Sequence, residues 1–179
     1  MYKLKLTLLQ QDILRLLFIR TGEFLNARNI ANILKVSQPA VSKALPALEK
    51  INYIRVSKDK TSKRLSIGLD RDNLQVIWLK RADNLKQIYE SGLVNFIYEN
   101  FAEATVILFG SYAFGEDTLR SDIDLAVIGS KEKDIDLSRF EKTLERPIVM
   151  NYFKSFKSID NHLLNNIVNG ITLKGAVDI

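Results

Sequence analysis

Residues 109–127 read FGSYAFGEDTLRSDIDLAV: a Gly-Ser pair and an Asp-Ile-Asp triplet set between apolar runs. Burying a carboxylate is costly, so two of them at the head of a hydrophobic strand need a reason. Residues two apart in a strand point the same way, which places Asp122 and Asp124 on one side. Such a pair repels itself unless a cation joins it. Oxygen-only ligands suit Mg²⁺, which takes one or two carboxylates together with substrate phosphates.

The Gly-Ser pair ends the strand-like run ATVILFGS and opens into a short helix, offering backbone N–H groups and a hydroxyl to an anion. Gly110 and Gly115 permit a tight path and close approach of a ligand. Together the two features predict a triphosphate cradled by Gly110 and Ser111 and held by Mg²⁺ or Mn²⁺ on the aspartates, a site for phosphoryl or nucleotidyl transfer. Around them DIDLAVIGS and RPIVMNYF read as further strands, with helical DLSRFEKTLE between them. This alternation predicts a small mixed sheet with helices packed on it. The tail reads as a helix, a turn at Gly170 and a closing strand. His162, the only histidine, falls on that helix among asparagines and is expected to be structural.

The stretch GSYAFGEDTLRSDIDL resembles the nucleotidyltransferase signature of the DNA polymerase β superfamily: Gly-Ser, ten residues, then Asp-x-Asp. It most resembles the minimal nucleotidyltransferases of archaea and bacteria, over roughly residues 92–175. The resemblance implies that Gly110 and Ser111 bind the nucleotide phosphates, that Asp122 and Asp124 ligate the metals, and that Ser121 orients the first carboxylate. ATP is the expected nucleotide. A third carboxylate normally sits on the later strand. Here the residue expected in register is Asn151, and an amide is no general base.

The first third of the chain has a different character. Residues 1–69 hold 13 Lys and Arg against 4 Asp and Glu, whereas residues 70–179 hold 13 against 17. A net of +9 on the short N-terminal part favours a polyanionic partner. TLLQQDILRLLFIR carries Leu9, Ile13, Leu16 and Leu17 at helical spacing and stops at Thr21-Gly22. NARNIANILKV is a second short helix. In SQPAVSKALPALEKINYI, Ser37 is a good N-cap and Pro39 falls in the tolerant first turn. Pro46 removes a helical hydrogen bond and is expected to kink or shorten this helix. YIRVSKDKTSKRLSIGL then alternates about a basic turn, as a hairpin does.

Three helices and a basic hairpin describe a winged helix-turn-helix, and VSQPAVSKALPALEKINYIRV resembles the recognition helix and wing entry of MarR/ArsR-type regulators. Gln38, Ala40, Ser42 and Lys43 then face base edges in the major groove of double-stranded DNA. Lys58, Lys60, Lys63 and Arg64 meet phosphates from the wing. A winged helix used for protein contact is the alternative.

Between the halves, residues 70–91 form an amphipathic connector with Leu74, Ile77, Trp78, Leu85 and Ile88 at helical spacing. Its apolar face either joins a homodimer or covers the C-terminal domain. The expected fold class is α+β: a winged helix over 1–69, the connector, and a small mixed-sheet α/β nucleotidyltransferase domain over 92–179. The chain has no Cys, no leader-like segment and no apolar run near the ~20 residues of a membrane span, which predicts a cytoplasmic location without membrane partners.

Two functions remain open. One is an enzyme moving a nucleoside monophosphate to a hydroxyl of a protein or small molecule, in the manner of antitoxins that modify a toxin-like partner and repress their own operon. The other is a transcription regulator whose nucleotidyltransferase domain has lost turnover and senses nucleotide. Transfer to a nucleic-acid end fits less well, since the C-terminal part is acidic and short.

Overall fold

The computed structural model describes residues 6–58 and 65–178. The chain divides into two compact units, Met1–Lys80 and Arg81–Ile179.

In the first unit, α1 (Leu8–Ile19), α2 (Ala27–Leu34) and α3 (Gln38–Lys50) precede β1 (Ile54–Lys58) and β2 (Leu65–Leu69). Thr7 and Gln10 form a reciprocal capping box at the start of α1, as do Asn26 and Asn29 at α2. The Ser37 hydroxyl accepts from the Ala40 N–H, opening α3. Ile13, Leu17, Ile30, Val41, Leu48, Ile54 and Ile67 fill the core. The Gln10 amide donates to the Ala44 carbonyl and ties α1 to α3. β1 and β2 pair antiparallel, with Ile54 opposite Leu69, and Leu25 adds a bridge to Ile67. This is a winged helix.

α3 runs from Gln38 to Lys50 through Pro46 and is not shortened there. Pro46 and Ser42, whose carbonyl loses its partner, both face solvent, while Val41, Ala44, Leu45 and Leu48 pin the opposite side. Of the connector stripe, Ile88 is buried and Leu85 packs against the second unit's core, but the stripe fails at its start. In α4 (Leu74–Glu90), Leu74 and Trp78 are 63% and 62% exposed, and the buried positions are Val76, Lys80, Asn84 and Ile88, each four residues apart. Two of these four buried positions are polar, so an apolar count misses them.

In the second unit, α5 (Leu93–Asn100) leads into β3 (Thr105–Phe109), the single-turn α6 (Gly110–Phe114) and β4 (Ile123–Ile128). α7 (Ser138–Leu144), β5 (Ile148–Phe153), a 3₁₀ turn (Phe156–Ser158), α8 (Asn161–Val168) and β6 (Ile171–Lys174) follow. The sheet order is β5-β4-β3-β6, with β4 and β5 parallel and the other pairs antiparallel. Strand alternation gives the sheet two apolar faces. Val106, Leu108, Ile123, Leu125 and Val127 pack with Leu93, Ile97, Phe140 and Leu144. Ile107, Phe109, Ala126 and Ile128 pack with Phe156, Ile159 and Ile167. Asp124 shares the parity of Ala126 and Ile128, so it opens on the second face.

Candidate functional site

Antiparallel pairing sets Asp124 directly opposite Phe109, one residue before the glycine turn. Gly110 has φ +71°, and a Cβ built there would collide with Asp124 Oδ2 and stand 3.3 Å from its Cγ. Only glycine fits this backbone and this neighbour. Ser111 follows, half-buried, and its carbonyl accepts from the Glu116 N–H as α6 ends. Asp122 and Asp124 are both partly exposed. Burial first, and the charge of Asp122 second, push the Asp124 carboxyl above its usual range. Among the described residues no hydrogen bond or ion pair engages either carboxylate. Ser121 does not reach them by hydrogen bond: its hydroxyl accepts from the Thr118 N–H and closes the 118–121 turn.

A buried polar cluster stands behind this turn. The Asn84 amide donates to the Tyr112 carbonyl in α6 at 2.9 Å and to Asp117 Oδ1 at 2.7 Å. Asp117 Oδ2 accepts from Arg146 at 3.4 Å, and the Ile123 N–H donates to the carbonyl of neighbouring Pro147. Asp117 and Arg146 are 1% and 3% exposed. None of these three side chains stands out in the sequence as part of a site. Asn84 left one trace, a polar residue four positions from Lys80 and from Ile88.

On the winged helix, Gln38, Ser42 and Lys43 are exposed on the first two turns of α3, and Ala40 is half-buried between them. Lys58 is exposed at the end of β1. Lys60, Lys63 and Arg64 lie outside the described residues. Arg55 bonds to Asp70 at 2.9 Å and also to Asp72, so its charge is engaged by the protein's own carboxylates.

Residues 92–175 match the family model described as polymerase beta, nucleotidyltransferase, and residues 6–66 match that of the MarR family. The chain joins a MarR-type winged helix to a nucleotidyltransferase-fold domain. Similar solved structures include MepR from a multidrug-resistant S. aureus clinical isolate (26% identity, 42% of this chain and 56% of that one, TM-score 0.37). Another S. aureus MepR mutant, bound to an oligodeoxyribonucleotide, shows 26% identity over 48% and 64% of the two chains, with TM-score 0.38. A Lactococcus lactis ZitR mutant shows 22% identity over 56% and 66%, with TM-score 0.42. The chain therefore spans between about half and two thirds of the length of these three. No curated protein matches it.

The nucleotidyltransferase domain departs from the polymerase β pattern on β5, and the departure falls elsewhere than expected. Parallel pairing puts Val149 opposite Asp124 and Asn151 opposite Ala126. The residue in register with the acid pair is thus valine. Asn151 keeps the same face two residues further along. The register is set by Ile123 pairing with Ile148. Among the described residues no group of three His, Asp or Glu side chains could hold a metal. Two unpaired carboxylates beside a glycine turn still suit a hard cation that takes its remaining ligands from phosphate and water. Elsewhere, His162 sits exposed in the first turn of α8. Among the described residues, no helix is long and apolar enough to cross a membrane.

Proposed function

We propose that the protein is a DNA-binding transcription regulator whose nucleotidyltransferase-fold domain takes up a nucleoside triphosphate with Mg²⁺ and reports its presence. One observation carries the reading: Asp124 lies against the Gly110 turn with Asp122 near enough to raise its carboxyl, and among the described residues neither carboxylate has a hydrogen-bond or ion-pair partner. Like charges held together unneutralised favour a cation at that point, and Ser111 stands beside it for the phosphates. When bound, the ion neutralises the aspartates and the polyphosphate. The chain's own residues fix the turn and set Asp124 against it, with both carboxylates partly exposed to solvent. Valine opposite Asp124 leaves β5 without a group able to take a proton from an attacking hydroxyl, which favours sensing over transfer.

Calorimetry with ATP and Mg²⁺ tests this directly. Saturable, Mg²⁺-dependent uptake lost in Asp122→Asn and Asp124→Asn is expected. Absence of such uptake for all four ribonucleoside triphosphates overturns the reading. A second reading, transfer of a nucleoside monophosphate to a toxin-like protein partner, is supported by the intact Gly-Ser and Asp pair. Label from α-phosphate-labelled ATP appearing on a protein, and lost with Asp122→Ala, establishes it.

For the winged helix, exposure of Gln38, Ser42 and Lys43 at the start of α3 supports major-groove reading of double-stranded DNA. Affinity for DNA upstream of the gene should fall steeply with salt, and Lys43→Ala should relax sequence preference. A salt-insensitive complex, or none, removes the DNA-binding claim.

A further inference from the structure

We infer that Asn84 is a positioning residue for the metal–nucleotide site, acting with Asp117 and Arg146 to fix the span between the Ser111 turn and the acid pair. The inference rests on the nucleotide-binding reading above.

The path from Ser111 to Asp122 runs through the end of α6 and residues 115–122, a segment without a strand or helix of its own. Its position decides whether the phosphate turn and the carboxylates meet a single ligand. One side chain bonds to both ends of the problem. The Asn84 amide holds α6 at the Tyr112 carbonyl, next to Ser111, and holds the connecting segment at Asp117 Oδ1. The Arg81 guanidinium, one turn earlier in α4, lies 5.6 Å from the Phe114 ring centroid and steadies the same short helix. From the other side, Arg146 reaches Asp117 Oδ2 while the next residue, Pro147, accepts from the Ile123 N–H between the two aspartates. The cluster thus registers α6, the segment and the head of β4 together.

Asp117 points inward: it is 1% exposed, whereas Glu116 beside it is open to solvent. A buried ion pair adds less to stability than apolar side chains of the same volume would, but its hydrogen bonds are directional. Direction is what this segment needs, since Asp122 must be delivered within a fraction of an ångström for two carboxylates to share one ion. Asn84 is buried in α4, as Val76 and Ile88 are, where an aliphatic side chain would pack but could hold neither partner.

The test compares wild type with Asn84→Ala on the full chain, well below melting, by two measurements. Amide hydrogen exchange over residues 110–122 needs no nucleotide, and calorimetry reads the Kd for ATP with Mg²⁺. Asn84→Ala should accelerate exchange in that segment and raise the Kd about tenfold. Asp117→Asn, isosteric and still an acceptor for Asn84, should raise it about threefold and serves if Asn84→Ala does not fold. Unchanged exchange, or faster exchange with an unchanged Kd, overturns the inference. Wild type that takes up no nucleotide sinks the nucleotide-binding reading instead, and the exchange data alone then decide whether Asn84 holds the segment.

Discussion

The Asp124 carboxylate lies over the Gly110 backbone so closely that no Cβ fits between them. Glycine there answers two demands at once, a positive φ and the room the carboxylate occupies. Gly110→Ala meets both penalties. The left-handed backbone alone costs an L-residue about 1–2 kcal/mol, and displacing Asp124 adds to it. Urea denaturation should show a loss of about 2 kcal/mol or more, with Mg²⁺-dependent nucleotide uptake abolished. The double variant Gly110→Ala with Asp124→Gly relieves the collision but not the backbone, so it should recover part of the stability and none of the binding.

The raised Asp124 carboxyl makes the site sensitive to acid, and the sign differs for stability and for binding. The folded state takes up this proton more readily than the unfolded chain, so its contribution to stability is present below the ordinary aspartate range. That contribution is lost as pH rises through the raised value. Metal uptake needs the carboxylate and moves the other way. Mg²⁺-dependent nucleotide affinity should weaken on acidification before an ordinary aspartate would protonate. Asp122→Asn removes the second cause of the shift and leaves burial, so a carbon NMR titration of Asp124 should move part of the way down. An unmoved midpoint shows that Asp122 exerts no field on it.

The proposed site is read from the sequence because its spacing is local: Gly110, Ser111, Asp122 and Asp124 lie within fifteen residues, and β4 begins between the two acids, with Asp124 opposite Phe109. What was not legible depends on residues far apart. The β5 register is settled by Ile123 against Ile148, and alternation in RPIVMNYF fits Val149 or Asn151 equally well since both face one way. Asp117 reads as a solvated loop carboxylate until Arg146, 29 residues away, is seen beside it. In α4, Ile88 was legible as buried, but Lys80 and Asn84 were hidden because they are polar, while exposed Leu74 and Trp78 imitate a core stripe.

That register supplies a sharper test of the acid pair. Val149 is 38% exposed and opposite Asp124, about 4.8 Å away across the ladder. Val149→Asp adds a third carboxylate where a shared cation can reach it. Without metal the variant should melt several degrees lower, from like-charge crowding. With Mn²⁺ it should regain more than wild type gains, and its metal affinity should rise about tenfold with the added ligand charge. Asn151→Asp, opposite Ala126, should show a smaller metal effect. Equal responses at 149 and 151 contradict the pairing.

Pro46 makes the last case, and it separates folding from recognition. Within α3 it removes the N–H that would bond to the Ser42 carbonyl, yet the helix continues through it. Interior proline costs a helix about 3 kcal/mol against alanine, offset by the freedom it removes from the unfolded chain. Since residue 46 is exposed, alanine creates no cavity and restores the bond. Pro46→Ala should therefore raise the urea midpoint of the winged helix, a gain of about 2 kcal/mol in stability after that offset. Gln38, Ser42 and Lys43 lie on the N-terminal side of the proline. If they alone read the groove, DNA affinity and its salt slope should stay unchanged in the stabilised variant. Weaker binding together with higher stability would show that the missing hydrogen bond shapes the recognition end of α3, so that the proline serves recognition at the expense of folding.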